Sequence, residues 1–446
     1  MSTRRQFIRN SAVAIGVSML WPRRLRAVQV PPKITDAAHA EVFRAVNGTP
    51  QANTEKIIEL MGGIDRLVGP EDVVLIKPNV QWWNQGVPSL AAAKSLVDLI
   101  MNRPGGFTGE VVLAENCHRG DSPWLHAGWA TPFERNSDCP GVQNYNDLCR
   151  LLKNTYAERF SAIHWIDVKS GGKRVSGPSE GPGYVFCDGT RGVPLLDFDN
   201  GLSGSHYRAV IMTYPIFQTN RGTLVDFKHG IWEKGGYTLR PFKFFNLVGI
   251  NHHSVWCGVT GAVKNYLGVS DLSGGPDPYN DGKLTEKYYN FHSFPFDEWA
   301  SGPRPGMIGA EIAVFLNTVR KADLNIATAE WVGLASRTLP PVAHTRTVLA
   351  SRDPVALDYH ASKYILYPNS GIEHNNPDYA VGSFHQYLKE CANRGGGVIE
   401  ERNVRITSYD LKKGVIQKDH ELVVTGEKTW GHDPRTILKY LYMRYT

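Results

Sequence analysis

Two unbroken apolar runs, residues 73–76 and 111–114, constrain the fold more than any other feature of this sequence. Runs of this length are typical of strands that are buried on both faces of a parallel sheet. Between them, residues 88–101 have a helical pattern, and the Ser89 hydroxyl is placed to cap the first turn of that helix. Strand, helix and strand in this order predict a βαβ unit.

Later segments of the 446-residue chain repeat these two patterns. They predict an α/β fold, with a mostly parallel sheet flanked by helices, in a single domain over residues 28–446. Residues 30–54 are predicted to be a leading segment. Further strands are predicted at residues 161–168, 207–217, 244–250, 324–327, 347–350, 404–409 and 421–425. Further helices are predicted at residues 55–67, 308–320, 354–366, 383–393 and 434–442.

Two stretches that are rich in Gly, Pro and aromatic residues interrupt this pattern. They lie at about 119–205 and 271–304, and we predict that both are long loop insertions, the first with short strands. A long loop inside a domain is often a functional lid.

The first residues resemble an export signal. Residues 3–9, Thr-Arg-Arg-Gln-Phe-Ile-Arg, look like a twin-arginine motif, and a short apolar core follows at residues 11–20. An uncleaved membrane anchor is the alternative, but this core is about half of the roughly 20 residues that a membrane span needs. We therefore predict a signal peptide at residues 1–27, a periplasmic or otherwise extracytoplasmic location, the twin-arginine translocase as a partner during export, and no stable membrane association after signal removal.

The charge balance changes when this leader is set aside. Six of the 49 Lys and Arg residues lie in residues 1–27, which contain no acidic residue, so the remaining 43 basic residues equal the 43 acidic ones. The rest of the chain is therefore formally neutral. Its composition gives no reason to expect nucleic acid or an anionic membrane as a partner.

The six cysteines restrict the choice of cofactor. None of them forms a close Cys-x-x-Cys pair, so no iron–sulfur cluster and no structural zinc site are expected. An exported protein can keep disulfides. Because the twin-arginine pathway usually carries folded proteins, often with a cofactor already loaded, a metal ion or an organic cofactor is possible, and the sequence does not name one.

Residues 251–270 have the spacing of a helix that begins at Ser254 and ends at Gly268. One face of this predicted helix is small, with a single long cation in its middle: Cys257, Gly261, Lys264 and Gly268. Interior glycines cost a helix about 1 kcal/mol each relative to alanine. Either another backbone packs closely against these glycines, which is the usual reason for them, or a ligand lies on them with Lys264 as its charge partner.

Three segments carry a family resemblance. They are Val-Leu-Ile-Lys-Pro-Asn at residues 74–79, Thr-Gly-Ala-Val-Lys-Asn-Tyr-Leu-Gly at residues 260–268, and Val-Leu-Ala-Ser-Arg-Asp-Pro-Val-Ala-Leu-Asp at residues 348–358. Together and in this order they resemble the domain of unknown function 362 family. The resemblance implies an α/β fold and a common site more than a particular reaction. Many members carry an added ferredoxin-like segment with clustered cysteines, which this chain lacks, so an electron-transfer role does not carry over.

Polar residues follow four of the predicted strands. Ligands of open parallel sheets bind beyond the carboxyl ends of the strands, so these residues are candidates for one crevice. Each has a simpler alternative: Lys77 as a solvated strand end, and Asp353 as a helix cap. The strand-end residues are Lys77 and Asn79, then Glu115, Cys117 and His118, then His252 and His253, and finally Ser351 and Asp353.

The predicted site is an anion pocket. Lysines supply charge and asparagines supply amide donors, and two cations that face one cleft need a carboxylate or an anion between them. We predict that Lys77, Asn79, Lys264 and Asn265 face one cleft, with Glu115 at its edge. The predicted catalytic residues are Lys77, Glu115 and Lys264, and the predicted substrate-binding residues are Asn79, Thr260, Asn265 and Asp353.

Three functions fit these residues. The first is an exported enzyme that carries out acid–base chemistry on a small anionic molecule. The second is a metal-cofactor or redox-cofactor protein with His252, His253 and Cys257 as ligands, although their spacing matches no standard site. The third is a non-catalytic extracytoplasmic ligand-binding protein. The sequence contains neither a Gly-rich phosphate loop nor a Gly-x-Ser-x-Gly nucleophile motif.

Export depends on the two arginines if residues 1–27 are a twin-arginine signal. We expect the double substitution Arg4→Lys with Arg5→Lys to leave the protein in the cytoplasm, because the translocase reads this pair. Cell fractionation with an antibody against the protein measures this. Export of the double variant at the wild-type level would contradict the prediction.

Overall fold

A ten-stranded sheet forms the centre of the fold. The computed structural model describes residues 39–116, 127–165, 174–199, 209–254, 257–272, 287–288 and 305–430. Helices flank the sheet, so the α/β class with a mostly parallel sheet is confirmed. Five neighbouring strands run parallel, in the order Leu324–Gly333, Phe242–Gly249, Val73–Lys77, Glu110–Asn116 and Phe160–Trp165.

The other half of the sheet contains antiparallel pairs. Val342–Ser351 runs antiparallel to Leu324–Gly333 and to Ala40–Val46, and Val404–Asp410 runs parallel to Ala40–Val46. Two short edge strands, Val415–Ile416 and Glu427–Thr429, pair antiparallel with Val404–Asp410 and Val342–Ser351. The central sheet is therefore mixed.

The strand Ala40–Val46 lies within the segment 30–54, where the sequence predicted only a leading segment. Arg44 interrupts its apolar pattern, yet this side chain is buried. Its guanidinium is satisfied there by the Ser408 hydroxyl and the Leu422 carbonyl. A buried, hydrogen-bonded arginine hides a strand from any prediction that rests on apolar runs.

The order of the parallel strands reverses beside Val73–Lys77. From this strand the chain adds Glu110–Asn116 and then Phe160–Trp165 on one side, whereas Phe242–Gly249 and Leu324–Gly333 are added later on the other side. Such a reversal is a topological switch point, where the connections leave in opposite directions and open a crevice at the carboxyl ends of the strands. The fold thus places a crevice beyond Lys77 and Gly249.

Helices pack on both faces of the sheet, because alternate residues of a strand point to opposite faces. Val74 and Ile76 pack with one group of helices, and Val73 and Leu75 pack with the other. The predicted Ser89 cap is present, since its hydroxyl accepts from the Ala92 amide at 3.4 Å. The first group is Pro50–Leu60, Leu90–Met101 and Tyr145–Tyr156, and the second is Pro305–Thr318, Pro354–Ala361 and Ser383–Asn393.

Shorter helical pieces connect these elements. The α-helical ones are Ile64–Leu67, Ala127–Ala130, Ala262–Asn265 and Tyr367–Ser370, and a π-helical turn spans Ser362–Leu366. The 3₁₀ turns are Asn84–Gly86, Ala157–Arg159, Pro178–Glu180, Tyr266–Gly268, Glu373–Asn375, Glu401–Asn403 and Asp419–Glu421. No helix within the described ranges has both the length and the apolar character that crossing a membrane requires.

A second, mainly antiparallel sheet occupies the chain between Phe160–Trp165 and Phe242–Gly249. The first predicted insertion, 119–205, differs from expectation in part. The helix Tyr145–Tyr156 lies within it, and the strand that follows, Phe160–Trp165, belongs to the central sheet. The second sheet contains Arg174–Val175, Gly183–Phe186, Thr213–Gln218, Leu224–Asp226, Gly230–Glu233 and Gly236–Tyr237. A three-stranded sheet contains Asp197–Asp199, Ala209–Ile211 and Lys287–Tyr288.

Near the C-terminus the predictions have mixed outcomes. The strand predicted at 421–425 is wrong, because a 3₁₀ turn at Asp419–Glu421 precedes a short strand at Glu427–Thr429. The predicted helix at 434–442 and most of the predicted insertion at 271–304 lie outside the described residues.

Buried His360 makes the stability of the fold depend on pH. Neither of its ring nitrogens has a hydrogen-bond partner among the residues that the structure describes, and burial lowers the pKa of His360 from 6.5 to about 4. The unfolded chain takes up this proton as the pH falls below 6.5, whereas the folded chain does not, so stability is lost between pH 6.5 and pH 4. At 1.36 kcal/mol for each pKa unit, this loss is about 3 kcal/mol.

We therefore expect His360→Phe to reduce the loss of unfolding free energy over this pH range by about 3 kcal/mol. Urea unfolding at several pH values measures it. His420→Phe, at an exposed histidine, is the matched control and should keep the wild-type dependence. Equal slopes for wild type and His360→Phe would contradict the prediction.

Candidate functional site

Lys77 ends the strand Val73–Lys77, and its side chain is completely buried. Its ammonium lies 2.8 Å from Glu115 Oε1 and donates to Asn265 Oδ1 at 2.5 Å and to the Pro78 carbonyl at 3.1 Å. The parallel register, which sets Ile76 beside Leu113, brings Lys77 and Glu115 together at the strand ends. Lys77 is therefore not a solvated strand end.

The second member of this ion pair, Glu115, is also held by the backbone. Its Oε2 accepts from the Val80 amide at 2.9 Å, and its side chain is 8% exposed. Burial lowers the pKa of Lys77 and raises the pKa of Glu115, and in each case the opposite charge counteracts the shift. Burial thus disfavours the charged form of each group, and the ion pair opposes that effect.

A chain of buried amides fixes Asn265 beside this pair. Asn265 Nδ2 donates to Asn246 Oδ1 at 2.7 Å and to the Lys77 carbonyl at 3.2 Å. Asn246 Nδ2 in turn donates to Asn325 Oδ1 at 2.9 Å. Because each nitrogen faces an acceptor, the oxygen of Asn265 must face Lys77. Both ends of the Asn265 amide are therefore engaged within the protein, and its predicted contact with substrate stays a prediction.

The segment 251–270 is not the helix that the sequence predicted. A hairpin of Asn251–His252 with Val259–Thr260 comes first, followed by the short helix Ala262–Asn265 and the 3₁₀ turn Tyr266–Gly268. Gly258 lies within the hairpin and adopts the left-handed region, with φ at 70°. A single helix over 254–268 is therefore wrong, while Val255 and Trp256 lie outside the described residues.

The cap of this short helix comes from a distant residue. Asp358 accepts from the Ala262 amide at 2.6 Å and from the Val263 amide at 2.8 Å. Gly261 makes this approach possible, since a Cβ there would lie 2.3 Å from Asp358 Oδ1. The role of Asp358 is to fix the start of the helix that carries Lys264.

The second glycine of the predicted face, Gly268, serves the ion pair. A Cβ on Gly268 would lie 2.5 Å from Glu115 Oε1 and 2.8 Å from Lys77 Nζ. Other parts of the protein therefore lie close to both glycines. The groups that approach them are charged side chains, whereas the packing alternative in the sequence analysis named a second backbone.

A cleft opens beside the Lys77–Glu115 pair, with about 60 Å³ of space for water-sized groups. It lies at the carboxyl ends of the strands, where the switch point predicts it. Lys77 does not line the cleft. Its ammonium contacts two residues that do, Glu115 and Asn265. The predicted site residues that line the cleft are Asn79, Glu115, Thr260, Lys264 and Asn265, together with His253 of the predicted metal ligands.

The charge around this cleft is mainly positive. Lys264 is 7% exposed, and burial lowers its pKa, with the Arg337 and Lys77 charges acting in the same direction. Arg337 also lines the cleft, and its guanidinium lies 4.3 Å from the centre of the Trp82 ring. Among the described residues that line the cleft, Lys264 and Arg337 are basic and Glu115 is acidic, and this balance favours an anionic ligand.

Asn79 ties together the two strands at the switch point. Its Oδ1 accepts from the Gly249 amide at 2.8 Å. Among the described residues, its Nδ2 makes only long contacts, 3.4 Å to the Gly86 carbonyl and 3.5 Å to the Gly249 carbonyl. Because these contacts are weak, the Asn79 amide nitrogen keeps the capacity to donate to a ligand in the cleft.

Asp353 does not join the predicted binding set. Its carboxylate accepts from the amides of Val355 and Ala356, which start the helix Pro354–Ala361, and from the Val398 amide at 2.9 Å. It does not line the cleft. Asp353 is a helix cap, as its simpler interpretation held, because an aspartate before Pro354 is already placed to meet free amides.

The three predicted metal ligands do not form a ligand set. His252 Nδ1 lies 2.9 Å from Asn375 Oδ1, and His253 Nδ1 lies 2.8 Å from Ser254 Oγ. Cys257 is fully buried, and burial raises its pKa to about 11. Within the described part of the chain, no group of three His, Cys, Asp or Glu residues is placed to hold a metal ion. The rings of His252 and His253 instead have different hydrogen-bond partners in the protein.

The cysteines in the described part of the chain are buried, and none of them forms a disulfide there. They are Cys139, Cys149, Cys187, Cys257 and Cys391. The two remaining strand-end candidates, Cys117 and His118, lie outside the described residues.

The cleft is also lined by residues that were not predicted, among them Asn116, Asn251, Arg337 and Trp82. Asn116 and Asn251 lie at strand ends, so the rule that selected Glu115 could also have selected them. Arg337 and Trp82 lie in connecting segments without a local pattern. Only the three-dimensional arrangement brings these two residues to the cleft.

A larger cavity of about 1030 Å³ lies elsewhere, beside Trp83 and Phe133. Its charged lining residues are Glu134, Asp138 and Asp147, which are all acidic. An anion would be repelled there. The smaller cleft at the switch point is therefore the better candidate for the anion site.

Comparisons with protein-family models, with curated proteins and with solved structures give no match. The resemblance to the domain of unknown function 362 family therefore stays a prediction from the three sequence segments.

Gly268 tests whether the ion pair needs a backbone without a Cβ. We expect Gly268→Ala to lower the free energy of unfolding by about 1–3 kcal/mol, because the added methyl group overlaps Glu115 and Lys77. Denaturant unfolding measures it. Gly177→Ala is the matched control, since a Cβ there meets nothing within 4 Å, and it should change stability by about 0.5 kcal/mol or less. Equal losses in both variants would contradict the prediction.

Proposed function

We propose that this chain is an exported enzyme of the domain of unknown function 362 type that carries out acid–base chemistry on a small organic anion. The cleft at the switch point is the binding site. The twin-arginine motif supports an extracytoplasmic location, and the mainly positive cleft supports an anionic substrate.

The buried Lys77–Glu115 pair is the observation that carries this proposal. Removing two charges from water costs several kcal/mol for each ion, so such a pair at the edge of a cleft is an unusual arrangement for structural purposes alone. The pair Glu110–Arg240 provides a contrast. It lies at the opposite end of the strand Glu110–Asn116, where Arg240 remains 22% exposed.

In the proposed reaction, Lys264 and Arg337 hold the anion, and Glu115 takes a proton from it. Glu115 lines the cleft and can therefore reach a bound molecule. Lys264 stabilises the negative charge that develops as the proton leaves. Lys77 keeps Glu115 ionised and oriented.

One observation favours a second candidate, a non-catalytic binding protein. An ammonium has three donors, and those of Lys77 have three acceptors, on Glu115, Asn265 and Pro78. In this proposal Lys77 therefore positions Glu115 and does not contact the substrate. The sequence analysis had predicted Lys77 as a catalytic residue. If Glu115 is equally committed to structure, the cleft binds without reaction.

Glu115→Gln separates these two functions. We expect turnover of the organic acids that bind to fall by at least about 100-fold, because general acid–base groups contribute about 10²–10⁴. Binding should persist, since Lys264 and Arg337 remain. Exchange of substrate C–H for solvent deuterium, followed by NMR, measures the reaction, and calorimetry measures the binding.

Glu110→Gln is the matched control, because it removes a buried, ion-paired carboxylate from the same strand but from the opposite end. It should leave turnover unchanged. If Glu115→Gln fails to fold, the double variant with Lys77→Met avoids an unpaired buried charge. Wild-type binding without any exchange would favour the binding protein, and wild-type protein that binds no organic anion would contradict both functions.

A further inference from the structure

A row of buried polar residues crosses the central sheet at the level of Lys77. Lys77, Asn246 and Asn325 lie side by side on neighbouring parallel strands, because the register pairs Asn246 with Lys77 on one side and with Asn325 on the other. All three residues are fully buried. Strands that are buried on both faces are normally apolar, so polar residues at one level of three such strands need an explanation.

Hydrogen bonds join Asn325, Asn246 and Asn265 into an amide chain with one direction. Asn325 Nδ2 donates to the Ser351 carbonyl at 3.3 Å, and Asn246 Nδ2 donates to Asn325 Oδ1 at 2.9 Å. Asn265 Nδ2 donates to Asn246 Oδ1 at 2.7 Å, and Asn265 Oδ1 accepts from Lys77 Nζ at 2.5 Å. Along the amide chain, each amide oxygen therefore faces towards the Lys77 ammonium.

Both ends of the amide chain enforce this direction. The Ser351 carbonyl can only accept, and so can the Ala262 carbonyl, which accepts from Asn246 Nδ2 at 2.9 Å. The Lys77 ammonium at the other end can only donate. Turning any one of the amides over would set two oxygens or two nitrogens against each other.

The direction of the amide chain favours the charged form of Lys77. An ammonium makes stronger hydrogen bonds than a neutral amine, and hydrogen bonds in a chain polarise one another, so the Asn265 oxygen becomes a better acceptor for the ammonium. Burial acts in the opposite sense and lowers the pKa of Lys77, whereas the Glu115 charge raises it. The amide chain therefore adds to the effect of Glu115.

We propose that Asn246 and Asn325 are positioning residues for the proposed reaction. Through Asn265 they hold Lys77 as an ammonium against Glu115, and the charged lysine keeps Glu115 available as the base. Neither Asn246 nor Asn325 lines the cleft, so both act through other side chains. This inference rests on the proposed function, since it concerns the same base.

Other titratable groups lie near the ion pair or share its cleft. Burial lowers the pKa of Lys264, and the charges of Arg337 and Lys77 add to this shift. Burial raises the pKa of Tyr145, and the Glu115 charge contributes to the increase. The substitutions that test the amide chain remove none of these groups, so a changed titration of Lys77 reports on the amides.

A pH titration of Lys77 by nitrogen NMR of isotope-labelled lysine side chains tests the inference on ligand-free protein. The double variant Lys77→Met with Glu115→Gln assigns the signal by its absence. We expect Asn246→Leu to lower the pKa of Lys77 by about 0.5–1 pH unit, which is the value of roughly one hydrogen bond. Asn325→Leu should lower it by less, because Asn246 keeps the Ala262 carbonyl as a partner.

Asn53→Leu is the matched control. It also removes a fully buried amide that donates to a backbone carbonyl, that of Arg346 at 2.9 Å, but this amide lies outside the amide chain and outside the cleft. It should destabilise the protein and leave the pKa of Lys77 unchanged. If Asn246→Leu fails to fold, Asn325→Leu carries the test, because it leaves Asn246 with a hydrogen-bond partner.

Turnover provides a second measurement if exchange of an organic acid is detected. In this proposal, activity falls at high pH as Lys77 loses its proton. That limb of the pH profile should therefore move to lower pH in Asn246→Leu, by the same amount as the pKa of Lys77. A merely structural role would lower activity at all pH values alike.

The outcomes distinguish this inference from the proposed function. A wild-type pKa of Lys77 in the Asn246 and Asn325 variants, or an equal decrease in Asn53→Leu, would overturn the role of the amide chain and leave Glu115 as the proposed base. If the expected decreases occurred in a protein that neither binds nor converts any organic anion, the amide chain would hold the charge of Lys77, and the proposed function would fail.

Discussion

The ion pair between Lys77 and Glu115 joins parts of the chain that are far apart in sequence. It links the ends of the neighbouring parallel strands Val73–Lys77 and Glu110–Asn116. Asn265, in the segment that follows the strand Phe242–Gly249, also accepts from Lys77. Gly268 then lets the backbone pass against the paired charges. Loss of either charge would leave the other buried without its partner, which is strongly destabilising. The pair is therefore a structural link as well as the proposed source of the chemistry.

The three segments that suggest the family resemblance meet around this pair. The first supplies Lys77 and Asn79, the second supplies Lys264 and Asn265, and the third supplies Asp358, which holds the start of the short helix of the second. Each segment thus positions another. This arrangement explains why the motifs combine small residues with charged ones, since carboxylates and an ammonium must approach the backbone closely.

Some of the fold could be predicted from the sequence, because unbroken apolar runs identify buried strands. The strand Val73–Lys77 and the helix Leu90–Met101 are examples. Ala40–Val46 could not be found in this way, since Arg44 lies in its middle and is buried only because distant groups accept its hydrogen bonds. The sheet also contains an antiparallel strand at Val342–Ser351, and no pattern within that strand shows its direction.

Part of the candidate site could also be predicted, because the apolar runs that identify buried strands also locate the polar residues at the ends of those strands. Lys77 and Glu115 end buried strands, so the strand-end rule finds them. The helix predicted over 254–268 was wrong because helical spacing there is coincidental, and the true cap is Asp358, which is 96 residues beyond Ala262. Arg337 lies in a loop whose position depends on the whole sheet. The sequence therefore indicates the strand ends, and the structure shows which loops complete the cleft.

A crystal structure of the protein purified from its own host tests the central claim most directly, because a ligand carried through purification would be seen in place. We expect a small anion in the cleft, with its acid group within about 3.2 Å of Lys264 Nζ and with Glu115 beside it. A bound molecule only in the larger cavity beside Trp83, or Lys264 turned away from the cleft into solvent, would contradict the claim.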